Sequence, residues 1–136
     1  RLAQGFELAG ILAIELFVTK DERVIVNELA PRPHNSGHYT IEACSFDQFD
    51  AHIRGIAGWP LEQPELLKPA VMVNVLGQHV APTRALIAEH PEWNMHDYCK
   101  AEVRHDRKMG HITVLTDDTR QTVADLERTG CWDDLK

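Results

Sequence analysis

The sequence has 136 residues, with 21 Asp plus Glu against 14 Lys plus Arg, for a formal net charge of −7. At 43% hydrophobic and 26% charged, the chain can bury enough apolar surface to offset the entropy lost on folding, so global disorder is excluded and one domain or two small lobes are expected. The acidic balance excludes a nucleic-acid groove, and the longest apolar runs, at residues 8–16 and 70–73, fall short of the roughly 20 residues that span a bilayer. No charged leader precedes an apolar stretch, so neither secretion nor a membrane is expected. Cys44, Cys99 and Cys131 are too scattered for a disulfide framework or a zinc pair and point to a reducing, cytoplasmic setting. The chain begins at Arg1, inside what reads as a helix, and is expected to be a piece of a longer polypeptide.

That helix is expected over residues 1–9, broken by Gly10. Residues 11–18 and 23–29 are apolar, β-rich runs around the polar turn 19–22 and read as a hairpin. Pro31, Pro33 and Gly37 make residues 32–39 a structured loop. Ser45 and Gln48 have capping-box spacing, and Phe49, Ile53 and Ile56 recur as the buried stripe of a helix that ends at Gly58 and Pro60. A lobe boundary is placed in the proline-bracketed stretch, giving residues 1–60, a linker at 61–69 and a second lobe at 70–136. In that lobe residues 70–76 read as a strand and 82–90 as a short helix. Residues 101–104 and 111–116 read as a strand pair around a basic turn. A final helix is capped by Asp117 or Asp118, buries Val123 and Leu126, and ends at Gly130. These elements alone define an α/β or α+β domain.

Glu15 interrupts an apolar strand, and Glu28 closes its partner. With a turn at 19–22, position 15 lies opposite 26 and position 28 opposite 13, so both carboxylates share a face as diagonal neighbours about 7 Å apart. Two carboxylates so placed suit a hard cation such as magnesium, held together with nucleotide phosphates; the competing reading pairs Glu15 with an arginine in a buried ion pair. Asn27 can add a contact only if the backbone twists at the strand end. In the following loop Arg32 offers a planar fork for a carboxylate-shaped anion, and His34, Asn35 and Ser36 add hydrogen-bonding groups beside Gly37. His34 and His38 have H-x-x-x-H spacing, but the glycine and prolines argue against the helix a zinc site needs. Lys100, Arg104, Arg107, Lys108 and His111 gather cations in an acidic chain. Trp59, Trp93 and Trp132 read as core or interface, and His52, His79, His90, His96 and His105 as surface residues.

The string Asn27-Glu28-Leu29-Ala30-Pro31-Arg32-Pro33-His34-Asn35-Ser36-Gly37-His38-Tyr39-Thr40 closely resembles the signature of the 5-(carboxyamino)imidazole ribonucleotide synthase family, the ATP-grasp ATPase subunit of phosphoribosylaminoimidazole carboxylase. The likeness extends to Gly10-Ile11-Leu12-Ala13-Ile14-Glu15, Gln48-Phe49, His52, residues 70–74 and Arg107-Lys108-Met109-Gly110-His111, and covers only the carboxyl-terminal part of the family's architecture. The resemblance implies the end of an ATP-grasp fold, an antiparallel sheet with packed helices, plus a small β-rich terminal lobe. It implies a cytoplasmic ligase, a homodimer when full length, that spends ATP and magnesium (or manganese) to join bicarbonate to 5-aminoimidazole ribonucleotide through carboxyphosphate. On that resemblance Glu15 and Glu28 are metal ligands, and Asn27 with Glu28 contacts nucleotide. Arg32, His34, Asn35 and Ser36 hold bicarbonate and the reactive intermediate, Arg32, His34 and Lys100 act in catalysis, and Lys100 and Arg107 meet the ribonucleotide phosphate and the carboxylating centre. A departure falls at His105-Asp106, where the family commonly carries Pro-Gly, a tight turn; the hairpin is expected to survive, because Asp tolerates turn conformations. The segments that bind adenine and close over the site have no counterpart here, so the piece alone is expected to be inactive. Two alternatives stand beside this one: a formate-dependent glycinamide ribonucleotide transformylase, whose loop typically continues Asp-Thr-Gly, and a non-catalytic remnant that binds a partner.

Overall fold

The computed structural model describes residues 1–133, and the chain divides into two compact units, Arg1–Glu65 and Leu66–Lys136. Both are mixed helix and antiparallel sheet. The expected linker at 61–69 is split between them. Glu65 is tied back to Ser45, whose hydroxyl accepts from the Glu65 amide at 3.0 Å, while Pro69 offers its carbonyl to the Thr116 amide at 2.9 Å. Residues 134–136 of the expected second lobe lie outside the described residues. Among the described residues no helix is long and apolar enough to cross a membrane.

In the first unit, helix α1 covers only Leu2–Gly5, shorter than the expected 1–9, because the chain leaves helical geometry at Glu7, whose φ is 50°. Strands β1 (Ala13–Val18) and β2 (Val24–Ala30) form the hairpin. A short helix α2 (Thr40–Ala43) and helix α3 (Gln48–Ala57) follow the loop. Asp47, not Ser45, caps α3, accepting from the Phe49 and Asp50 amides at 2.7 and 2.9 Å; this releases the Gln48 side chain from the expected capping box. Gly58 ends the helix in the left-handed region, at φ 67°. The expected apolar stripe is not the packed face, since Ile53 and Ile56 are 60% and 57% exposed. Helix α3 is seated instead by a close approach at Gly55, where a Cβ would lie 2.9 Å from the Gly10 Cα, and by His52, whose Nδ1 accepts from the Ile11 amide at 3.2 Å. His52 thus anchors the start of β1 rather than merely decorating the surface.

The second unit is a three-stranded antiparallel sheet in the order β3 (Ala70–Leu76), β5 (Lys108–Leu115), β4 (Asn94–Asp97). Helices α4 (Val80–Leu86) and α5 (Thr119–Arg128) complete it. Its core joins Val75, Trp93, Ile112, Val114, Leu126, Cys131 and Trp132. Trp93 meets Trp132 edge to face at 5.8 Å, and the Trp132 indole donates to the Asn74 carbonyl at 3.0 Å. Trp59, by contrast, is exposed, and His79, expected at the surface, is buried. Asp118 caps α5 as expected, with Leu126 buried, although Val123 stays exposed. The expected helix over 82–90 starts earlier, from a 3-10 turn at Gly77–His79, which leaves Pro82 within the first turn of α4, where its missing N–H costs nothing.

Residues 101–104 are not a strand; β5 pairs with β3 on one side and with the polar segment Asn94–Asp97 on the other. Cys99 at φ 51° bends the chain out of extended geometry, and residues 99–107 become a loop. That loop lies against the turn after β3, where Gly77 has no room for a side chain: a Cβ would sit 1.9 Å from the Arg104 carbonyl oxygen. We expect Gly77→Ala to cost about 1–3 kcal/mol in urea unfolding, as overpacking against backbone does, while Gly5→Ala, with nothing within 4 Å, leaves stability nearly unchanged.

Candidate active site

The hairpin's loop is one residue shorter than expected. Thr19 and Arg23 pair, with Thr19 N donating to Arg23 O at 2.9 Å, and Glu22 at φ 61° closes the three-residue loop 20–22. From Val18↔Val24 to Leu16↔Val26 the strands run in that register; if it continued, Glu15 would face Asn27, and Glu28 would point from the other side of the sheet. A β-bulge intervenes, leaving Asn27 as the extra residue, and the pairing resumes as Glu15↔Glu28. Two shifts of one residue add to two, so the carboxylates share a face as expected, but directly opposite each other instead of diagonally.

His34 joins them. Oxygens of Glu15 and Glu28 and a ring nitrogen of His34 lie within 4.8 Å of one another. His34 Nε2 is 3.6 Å from Glu15 Oε2 and 4.0 Å from Glu28 Oε2, and Arg32 Nη2 is 3.8 Å from Glu28 Oε1. Neither carboxylate is buried, the side chains being 42% and 48% exposed, so the desolvation cost expected at Glu15 is not incurred, and the competing Glu15–arginine pair is replaced by Glu28 with Arg32. His34 Nδ1 accepts from the Ser36 amide at 3.3 Å and meets Ser36 Oγ at 2.8 Å. A nitrogen that accepts a backbone N–H carries no proton, so in the neutral ring the proton sits on Nε2 and faces the carboxylates. The donor set therefore fits a hard, oxygen-seeking cation on Glu15 and Glu28, with His34 beside it as a hydrogen-bond donor.

The loop that carries His34 is built by its neighbours. Asn35–Gly37 is a 3-10 turn, and Thr40 Oγ1 donates to the Gly37 carbonyl at 2.6 Å. Gln48 Oε1 accepts from the His34 amide at 2.8 Å, and Gln48 Nε2 donates to the His34 carbonyl at 2.9 Å and to His38 Nδ1 at 2.8 Å. His38 stacks on Phe49 at 5.5 Å. His34 and His38 thus serve different partners.

Lys100 and Arg107 belong to the second unit. Lys100 Nζ donates to the Lys108 carbonyl at 2.5 Å and lies 5.4 Å from the centre of the Tyr98 ring. It borders a cavity of about 210 Å³ with Arg84, Asp97, Cys99 and an apolar floor that includes Val75, Val80 and Met109. Asp97 sets the turn before Lys100: its Oδ1 accepts from the Cys99 amide at 2.8 Å and its Oδ2 from Arg84 at 2.7 Å. Arg84, and after it the Cys99 amide, hold the Asp97 carboxyl below the usual carboxylate range. Burial pushes the Tyr98 phenol up, and its oxygen meets His111 Nδ1 at 2.9 Å. A turn remains at 104–107, closed by Arg107 N to Arg104 O at 3.1 Å, with Asp106 at φ 58° and its amide and carboxylate bound to the Gln78 side chain at 2.9 and 3.0 Å, but the hairpin expected to survive around it does not form, because residues 101–104 lie in the loop. Arg107 Nη1 donates to the Glu102 carbonyl at 3.2 Å. Sequence reasoning missed Gln48, Gln78, Arg84 and Asp97 as shaping residues. Pairs distant in sequence, such as Gln48 with His34, Gln78 with Asp106 and Arg84 with Asp97, carry no local periodic signal; only the polarity of Gln48 on an amphipathic helix hints at its role.

Residues 1–49 match the ATP-grasp domain, and residues 70–125 match the phosphoribosylaminoimidazole carboxylase C-terminal domain. The N5-carboxyaminoimidazole ribonucleotide synthase of Staphylococcus aureus (strain COL) is 48% identical over 127 residues, 93% of this chain and 34% of that protein; the Staphylococcus epidermidis enzyme is 49% identical over 123 residues, 90% and 33%. The crystal structure of the S. aureus synthetase complexed with ADP superposes with a TM-score of 0.89 at 47% identity, covering 94% of this chain and 35% of that one. The Aspergillus clavatus synthase in complex with ADP and 5-aminoimidazole ribonucleotide gives 0.78 at 34% identity, covering 88% and 34%. The chain thus carries ATP-grasp sequence in its first unit. With its second unit matching the phosphoribosylaminoimidazole carboxylase C-terminal domain, the chain is similar to a carboxyl-terminal part of the N5-carboxyaminoimidazole ribonucleotide synthases and spans about a third of the length of the curated relatives it matches.

Two outcomes are expected. Deleting Asn27 takes out the bulge but leaves Glu28 opposite Glu15, so Mn²⁺ affinity measured by electron paramagnetic resonance should be kept, whereas Glu15→Gln removes one of the two carboxylates and should lower it at least about tenfold. Because the Asp97 carboxyl is more acidic folded than unfolded, its contribution to stability is present above about pH 3.9 and is lost as pH falls through the folded value. Asp97→Asn should therefore flatten the acid limb of the stability curve, read by urea unfolding across pH.

Proposed function

We propose that this chain is the carboxyl-terminal part of an ATP-dependent ligase that carboxylates 5-aminoimidazole ribonucleotide with bicarbonate, giving 5-(carboxyamino)imidazole ribonucleotide, ADP and phosphate. The observation that carries the reading is the convergence of Glu15, Glu28 and the Nε2 of His34 at one end of the hairpin, next to Arg32. Magnesium, which Glu15 and Glu28 would hold, supplies charge neutralisation for the phosphoryl group in transfer. Glu28 and its neighbour Asn27 contact the nucleotide. Arg32, His34, Asn35 and Ser36 hold bicarbonate and then carboxyphosphate. The Nε2–H of His34 donates to an oxygen of that anion, and the Arg32 fork takes its carboxyl end. A labile mixed anhydride lasts only where water is excluded and its acceptor is close, which requires closure by segments beyond this chain's own residues; the 136 residues alone are therefore inactive.

Lys100 and Arg107 meet the ribonucleotide phosphate and the carboxylating centre, and Lys100 stands ready beside the apolar-floored cavity of the second unit. The partners are small molecules, and the working form is a cytoplasmic homodimer, in keeping with free cysteines at 44, 99 and 131.

The test replaces the matching third of the S. aureus relative with this chain and follows ADP release from ATP, magnesium and bicarbonate, with and without 5-aminoimidazole ribonucleotide. Release that depends on the ribonucleotide is expected, and Glu28→Gln should lower it at least about a hundredfold with the fold unchanged by circular dichroism. Release that needs formate in place of bicarbonate would overturn the carboxylase reading in favour of a transformylase. No nucleotide turnover at all would favour a binding remnant.

A further inference from the structure

The Gln48 side chain is buried, 8% exposed, yet makes no contribution to the cap of its own helix. Its amide orientation follows from its partners. The His34 backbone N–H can only donate, so the atom it meets at 2.8 Å is oxygen, and the other end of the amide is the NH₂ group. That nitrogen has two hydrogens and two acceptors, the His34 carbonyl at 2.9 Å and His38 Nδ1 at 2.8 Å. Gln48 thus pairs with residue 34 at both its N–H and its C=O, as a neighbouring strand would. The loop has no strand beside it to do this. Gly37 completes the fit, because a Cβ there would lie 2.5 Å from Gln48 Oε1. The backbone amide of Gln48 is held in turn by Thr40 Oγ1 at 3.1 Å.

We propose that Gln48 is a positioning residue that clamps the backbone of His34 and keeps the proton of neutral His38 on Nε2, so that the His34 ring is held toward Glu15 and Glu28. The tautomer follows from hydrogen count: both amide hydrogens are donated, and Nδ1 of His38 must accept one. The ring stacks on Phe49, with centroids 5.5 Å apart, which sets its plane. Through His34, the clamp acts on the catalytic end of the hairpin. The part of this inference that concerns catalysis rests on the ligase reading, and the part that concerns the proton does not.

Side-chain ¹H–¹⁵N spectra of the wild-type chain test it without any variant: His38 should show an acceptor-type Nδ1 and a protonated Nε2, and a proton found on Nδ1 in the wild type overturns the proposal. Gln48→Glu keeps the oxygen that accepts from His34 but turns the NH₂ into a second oxygen facing an acceptor nitrogen, so Nδ1 should gain a proton while the His52 ring signals stay unchanged. An unmoved His38 contradicts the clamp. In the S. aureus chimera, Gln48→Glu should lower kcat about tenfold to a hundredfold with little change in KM for ATP. Full kcat in an active chimera would overturn the positioning role. A chimera inactive even with wild-type Gln48 would count against the ligase reading, and the His38 proton would then decide the clamp by itself.

Discussion

The bulge that sets Asn27 out of the ladder keeps Glu28 on the face of Glu15, and most of the chemistry assigned to the first unit depends on that one backbone irregularity. Side chains in a strand alternate with period two, so any single-residue shift exchanges the faces of the sheet. The three-residue loop at 20–22 supplies one such shift and would, unaided, separate the carboxylates. The bulge supplies the second. Bulges bend a strand and break its ladder locally, which weakens a two-stranded sheet that already leaves Leu16, Phe17, Val24 and Val26 exposed. That a hairpin so thinly supported keeps such a feature is the physical argument that the placement of Glu28 matters more than the regularity of the strand.

The anion-facing loop follows the same logic of side chains standing in for absent secondary structure. His34 caps its own 3-10 turn through Nδ1, which directs the Nε2 proton toward the acidic pair, and Gln48 pairs with the backbone of residue 34 from the start of α3. Rigidity here comes from prolines at 31 and 33 and from hydrogen bonds fitted around Gly37. The second unit uses comparable devices independently: Asp97 ties down the strained Cys99, and Gln78 ties down the left-handed Asp106. In both units a polar side chain from a regular element holds a loop bearing charged residues. Preorganisation of this kind lowers the entropy that would otherwise be lost when the loop meets an anion.

Strong periodic signals were legible directly. The apolar alternation of residues 70–76, the caps at Asp118 and Gly58, and the proline-rich loop all read correctly because each reflects a local rule. The carboxylates were legible because two acids in β-rich runs need explaining. What the residues did not disclose was non-local. Strand β4 is Asn-Met-His-Asp, with no β-branched residue, and forms because β5 offers it an edge. The α3 stripe of Phe49, Ile53 and Ile56 suggested a buried face, but the close approach of Gly55 to Gly10 decided the packing within this unit. The register was expected two residues away from its actual value, and the shared face was right because two single-residue shifts together leave the parity of the pairing unchanged. The family signature named the residues of the loop, whereas only the geometry discloses that Gln48 organises it and that His34 stands beside the acids.

The most direct test of the account is paramagnetic broadening by Mn²⁺, with and without ADP, mapped on the isotope-labelled chain. If the bulge builds a cation site, the signals of Glu15, Glu28 and His34 broaden first and together, while those of Asp117 and Asp118, which are exposed acids without such a constellation, are affected only at higher metal concentration. Broadening that begins elsewhere, or that spreads evenly over the exposed carboxylates, would contradict the claim that the register of this hairpin exists to hold a metal.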